Sequence, residues 1–183
     1  MSEQCVYAEE YDEQTTLNRV SVREWGQTRR LHCVGALLVR QKRILLGKRT
    51  AACDLSPSVW DLPGGHVERQ ETREQTLERE LHEEIGVVPT AWRRLKTLYV
   101  PDMGDDEYEV QIYLVAAWRG TPHNRAPAEH DDLRWFTIEE ASCLPLAHPD
   151  YPTLFRQAVR AKFTVTFYSG YTVSSAQRIG SAR

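Results

Sequence analysis

Residues 64–88 read GGHVERQETREQTLERELHEEIGVV, and their pattern organises the reading of the whole chain. The stretch carries seven glutamates against three arginines. Leu77, Leu81 and Ile85 recur every four residues, which predicts a helix over 72–85 with one apolar stripe on the core. Gly86 falls where a left-handed C-cap is wanted, and Pro89 stops the helix from resuming. Successive helical residues advance by about 100°, so with Glu80 at zero Glu84 lies at about +40° and Glu83 at about −60°. The three carboxylates share one face. Leu77, Leu81 and Ile85 fall at about +60°, +100° and +140°. The acidic face therefore borders the buried stripe and is not expected to project freely into water.

Like charges three and four residues apart cost a helix a few tenths of a kcal/mol per pair, roughly. These also come late in the helix, where its dipole favours cations. Two readings are open. One is a solvated charged face with Arg73 and Arg79 as local partners. The other is a set of oxygen ligands for Mg2+ or Mn2+, ions that keep waters and substrate phosphates in their remaining positions. The D-x-[DN]-x-[DN]-G loop of a calcium-binding EF-hand is missing from the chain.

Working outward, LHCVGALLVR (31–40) and RILLGKR (43–49) are aliphatic runs separated by Gln41-Lys42, which reads as a hairpin. TAACDLSPS (50–58) is a loop, and VWDLPGGHVE (59–68) a short strand broken by Pro63, Gly64 and Gly65. After the helix, WRRLKTLYV (92–100) reads as a strand, PDMGDDE (101–107) as an acidic loop and YEVQIYLVAAW (108–118) as a long strand. RGTPHNRAPAEH (119–130) is a loop, DLRWFT (132–137) a last core strand and IEEASCL (138–144) a short helix. A final helix is expected over 151–162. RVSVREW (19–25) and the tail from Phe163 could each add a strand. This pattern gives an N-terminal extension over 1–30, a domain over 31–162 and a C-terminal extension over 163–183.

With 183 residues the chain suits one well-buried domain. Apolar residues make up 41% and charged residues 27%, ordinary values for a globular protein. The net charge of −3 argues against a polymeric nucleic-acid partner. No apolar run is long enough to cross a bilayer, and the acidic start lacks the layout of a signal peptide. The four cysteines form no CxxC pair, and reduced thiols in a cytoplasm are the expectation.

The stretch fits G-x5-E-x7-R-E-U-x-E-E-x-G-U, with U aliphatic, through Gly65, Glu71, Arg79, Glu80, Leu81, Glu83, Glu84, Gly86 and Val87. At about 6–7% usage per fixed residue, a chance match is well below about one in a million. On this motif the chain resembles the Nudix hydrolases. The resemblance implies an α/β fold, an α/β/α sandwich on a central mixed β-sheet, and cleavage of a nucleoside diphosphate linked to another group. It implies Mg2+, with Mn2+ as a substitute. Glu80, Glu83 and Glu84 would be ligands, joined by a carbonyl of Gly64 or Gly65. Arg79 and Glu71 would form an ion pair orienting the helix. In relatives the base that takes a proton from water is either the first glutamate of the motif core or one on a later loop. Here these are Glu80 and Glu129, and Glu129 is also a candidate ligand. His130 beside it reads as a surface histidine.

Within the superfamily, residues 44–68 are similar to those of MutT-type nucleoside triphosphate diphosphatases. The likeness places Arg49 against the nucleotide. It places His148 where those enzymes carry an asparagine that reads an oxidised guanine. A histidine cannot present an amide's paired donor and acceptor, so this departure argues against that specificity. The expected reaction is a nucleoside triphosphate to monophosphate plus pyrophosphate. Alternatives are an ADP-ribose or nucleotide-sugar pyrophosphatase and a non-catalytic nucleotide-binding module. Pro101 lies near, but not at, the proline position of ADP-ribose-cleaving relatives, and the retained glutamates argue against the module. Strand-like runs in both extensions suggest a homodimer.

Overall fold

A computed structural model describes residues 29–53, 55–101 and 106–160. The expected strands of both extensions, and most of the acidic loop, lie outside those residues. β1 (Arg29–Arg40) and β2 (Arg43–Arg49) form the predicted hairpin. Gln41 and Lys42 both have positive φ, the two-residue turn whose twist suits antiparallel strands. The strands pair only next to the turn, Val39 with Ile44 and Arg40 with Arg43. Beyond it they splay apart, and the segment after β3 (Trp60–Asp61) fills the gap. Val34 N–H donates to the Gly65 carbonyl at 2.9 Å, Ala36 N–H to Pro63 at 2.7 Å, and Val67 N–H to His32 at 2.8 Å. The two glycines are thereby stitched to β1.

The sheet is mixed. β1 runs parallel to β5 (Asp106–Arg119), which pairs antiparallel with β4 (Val88–Pro101), and β6 (His130–Phe136) lies antiparallel to β2. The order is β3-β2-β1-β5-β4, with β6 on the other flank of β2. α1 (Arg73–Ile85) covers one face, where Leu77, Leu81 and Ile85 pack with Val34, Ala36 and Leu38. α2 (Ile138–Ser142) and α3 (Tyr151–Arg160) cover the other around Leu37, Leu46, Ile112 and Phe155. Apolar residues alternate between the two faces along β1 and β2, so each side of the sheet buries a core. Among the described residues no helix is long and apolar enough to cross a membrane.

Several boundaries differ from expectation. Thr72 is the N-cap of α1, forming a capping box with Gln75. β4 begins at Val88 rather than Trp92, with Pro89 inside it. Because β4 ends the sheet order, that proline removes no ladder donor the sheet needs. The loop expected over 101–107 is shorter, since β4 runs through Pro101 and β5 starts at Asp106. α2 stops at Ser142, and α3 is described to Arg160.

Candidate active site

α1 presents Glu80 and Glu84 to the glycine loop because its apolar stripe fixes its rotation on the sheet. The C-cap Gly86 adopts φ 72°, and the loop after β5 then docks on the helix end. His123 N–H donates to Ile85, Arg125 N–H to Glu84 at 2.8 Å, and the Arg125 guanidinium to His82 at 2.9 Å. Carbonyls that a helix end leaves unpaired are thus satisfied, and a cation sits where the dipole favours one. The same loop brings Glu129 to the site, its carbonyl accepting from Thr50 N–H at 2.9 Å.

Glu84 is 3% exposed, and its Oε2 accepts from Gly64 N–H at 2.8 Å. Burial holds its carboxyl well above the ordinary range, and repulsion from Glu80, Glu129 and Asp61 adds to this against the Gly64 bond. Glu80 is raised too, chiefly by burial and then by Glu83 and Glu129, with Arg79 opposing. A Cβ on Gly65 would come within 2.6 Å of the Glu80 carboxyl carbon, so any other residue there would push that carboxylate from its present place. Gly64 has φ 149°, which L side chains rarely adopt.

Arg79 binds the outer side of this cluster. It donates to Glu71 and Glu80, each at 2.9 Å, to Glu83 at 3.2 Å and to the His66 carbonyl at 3.0 Å. Its bonds to Glu71 are the main cause holding that carboxyl down at about 2. Glu83 departs from the expectation that the acidic face would not project into water: its side chain is 59% exposed on the surface rim, while Glu80 and Glu84 turn inward. Among the described residues no three acidic, histidine or cysteine side chains are already gathered into a cation cage. Instead, Arg79 bridges Glu80 and Glu83. The donor set still suits a hard cation. Glu84 is a buried carboxylate facing other carboxylates, a group that divalent charge would stabilise.

Arg49, at the end of β2, donates from Nε to the Leu55 carbonyl at 3.0 Å, and its Nη1 lies 3.7 Å from Asp61 Oδ2. His148, in the loop before α3, packs its ring at a tilt beside Tyr151, and its Nδ1 accepts from Asp150 N–H at 3.0 Å. Burial lowers its pKa.

Three groups at the site escape sequence reasoning. His130 is 4% exposed, not a surface residue, and a Cβ on Gly47 would lie 2.5 Å from its Cδ2. Burial keeps its imidazole below the usual range, aided by Arg49. A glycine inside a strand signals such a close approach, and Gly47 was that signal. Asp61 accepts from Tyr151 Oη at 2.6 Å and from its neighbour Leu62 N–H at 2.7 Å. Cys33 lies under the cluster, its thiol pushed up to about 11 by burial and then by Glu80. Among the described residues Cys33, Cys53 and Cys143 are free thiols.

The NUDIX domain model matches residues 29–157. The CTP pyrophosphohydrolase of Escherichia coli K12 is 32% identical over 68% of this chain and 88% of its own. The 8-oxo-dGTP diphosphatase of Proteus vulgaris is 32% identical over 50% of this chain and 80% of its own. Among solved structures, a MutT NUDIX hydrolase from Burkholderia pseudomallei superposes with a TM-score of 0.62, at 30% identity, covering 74% of this chain and 99% of that one. With the motif intact on a loop and helix folded as that domain requires, the chain belongs to the Nudix hydrolase family and has MutT-type enzymes as relatives.

Proposed function

We propose that this Nudix hydrolase converts a nucleoside triphosphate to its monophosphate and pyrophosphate, with Mg2+ as cofactor and Mn2+ as a substitute. The observation that carries the reading is the pair of inward-turned carboxylates at the glycine loop, Glu80 beside Gly65 and Glu84 on the Gly64 N–H, with Glu129 near enough to repel both. Glu80, Glu83, Glu84 and a Gly64 or Gly65 carbonyl would hold the cation. The Gly65 carbonyl already accepts from Val34, but its second lone pair is free to bind. Bound there, a divalent ion offsets phosphate charge and acidifies water.

The chain's own residues supply the rest. Arg79 and Glu71 fix the rotamers of the carboxylates beside them. Arg49 offers guanidinium donors to the nucleotide, and His148 lines the same side. Of the two base candidates, Glu129 is the better. Glu80 Oε1 is taken up by the Arg79 guanidinium, whereas Glu129 is an exposed residue on a loop whose backbone is pinned to Thr50. Glu129 would take the proton as water attacks phosphorus in line, and the anhydride bond would break to give monophosphate and pyrophosphate.

The names of the relatives support a triphosphate substrate: one is a CTP pyrophosphohydrolase and another an 8-oxo-dGTP diphosphatase. A nucleotide panel with Mg2+, read by product identity, tests this. Monophosphate plus pyrophosphate is expected, and AMP plus a sugar phosphate from ADP-ribose would move the activity to the nucleotide-sugar class.

A further inference from the structure

Tyr151 is the first residue of α3, on the face of the sheet opposite α1, and only 5% of it is exposed. A buried phenol needs a hydrogen-bond partner, and its partner is unusual: the Oδ1 of Asp61, at 2.6 Å. The same Oδ1 accepts from Leu62 N–H at 2.7 Å. Two donors on one oxygen fix the rotation of the carboxylate, so Oδ2 faces Arg49 Nη1 at 3.7 Å. Arg49 is gripped on its other edge by the Leu55 carbonyl. The guanidinium is thus held from two sides, with donors left for an anion. The loop leading to Tyr151 is fastened to the same strand, since Trp60 N–H donates to Pro145 at 2.8 Å and Ala147 N–H to Trp60 at 3.0 Å.

We propose that Tyr151 is a positioning residue for nucleotide binding: through Asp61 it holds the Arg49 guanidinium in place, so substrate affinity depends on a hydroxyl that the substrate does not touch. This rests on the reading that Arg49 contacts the nucleotide. Removing the hydroxyl frees the Asp61 carboxylate to rotate and lets Arg49 leave its bound direction. The interaction is made with substrate and transition state alike, so its loss raises KM and spares kcat.

The test is a double-mutant cycle on the full chain with Mg2+ and a nucleoside triphosphate, plus monophosphate binding by calorimetry. Tyr151→Phe keeps the ring and should raise both KM and the monophosphate Kd by about three- to tenfold, the range of one hydrogen bond, with kcat within about twofold. Asp61→Asn should act likewise. In an Arg49→Ala background, Tyr151→Phe should change neither constant further. An unchanged KM in Tyr151→Phe, or penalties that multiply when combined with Arg49→Ala, would overturn the proposal. A fall in kcat with KM constant would overturn it too. If Arg49→Ala itself leaves KM and Kd unchanged, the assigned contact of Arg49 fails with it, while triphosphate turnover in the same assay leaves the reaction class intact.

Discussion

Replacing Glu84 with glutamine separates what this residue costs the fold from what it gives the reaction. The carboxylate is almost fully buried and repelled by Glu80, Glu129 and Asp61, with Gly64 N–H donating to it at 2.8 Å. A glutamine carbonyl can accept the same bond while carrying no charge. At a surface, repulsion of this kind is worth a few tenths of a kcal/mol, roughly. With the group taken out of water it should reach about 1–3 kcal/mol. Glu84→Gln should therefore stabilise the metal-free protein by that amount, or roughly 2–4 °C in Tm per kcal/mol for a chain of this size. The pH dependence has a definite sign. The native carboxyl is raised, so the native state binds its proton more readily than the unfolded chain does. Its contribution is complete below the unfolded pKa and lost as pH rises through the native one. The advantage of the glutamine variant should accordingly be smallest in acid and grow toward neutral and alkaline pH. Calorimetric melts in a chelator at several pH values would measure it. Turnover should fall by at least about 100-fold, since the charge that would bind the cation is gone. Saturating Mg2+ should raise the Tm of the wild type more than that of the variant. A metal-free variant that melts below wild type at alkaline pH would refute the reasoning, and undiminished turnover would remove Glu84 from the site.

The Glu71 carboxyl is depressed to about 2 by Arg79, so its contribution to stability is present above about pH 4.5 and is lost as pH falls toward 2. Arg79→Ala should flatten that acid limb in pH-dependent melts and lower turnover by about 10–100-fold. Gly47→Ala would press a methyl into the His130 ring and should cost about 1–3 kcal/mol in denaturant unfolding; a neutral effect would place the ring elsewhere. Because His148 Nδ1 is already occupied by Asp150 N–H, one ring nitrogen is left for a base. Oxidised and ordinary guanine triphosphates should then differ by less than about 100-fold in kcat/KM, or about 2.7 kcal/mol, and a larger ratio in competition assays would mean another residue reads the oxidised base. A homodimer is proposed from the strand-like runs at 19–25 and 163–168. Light scattering at micromolar concentration showing only monomer would dismiss it.

The sequence alone determined the helix, its apolar stripe and its Gly86 C-cap, while the pairing of Arg79 with Glu71 came from the family resemblance. The stripe and the C-cap depend on spacings of a few residues, over which helical geometry is fixed. It also determined the hairpin, where two short runs and a two-residue turn leave little choice. Glu80, Glu83 and Glu84 share a face on helical angles alone, but how deeply each is covered depends on more than those angles. On that ring Glu83 lies on the side away from Leu77, Leu81 and Ile85, and what covers each flank comes from distant chain: the glycine loop and residues 120–129. Asp61, Tyr151, His130 and Arg49 meet only because β3, β6 and the start of α3 converge on the end of β2. Residues 61 and 151 are far apart in sequence and share no periodicity, so neither betrays the other. Only the tertiary structure decides that contact, since closing so long a loop is favoured by the whole packed core and by no local preference.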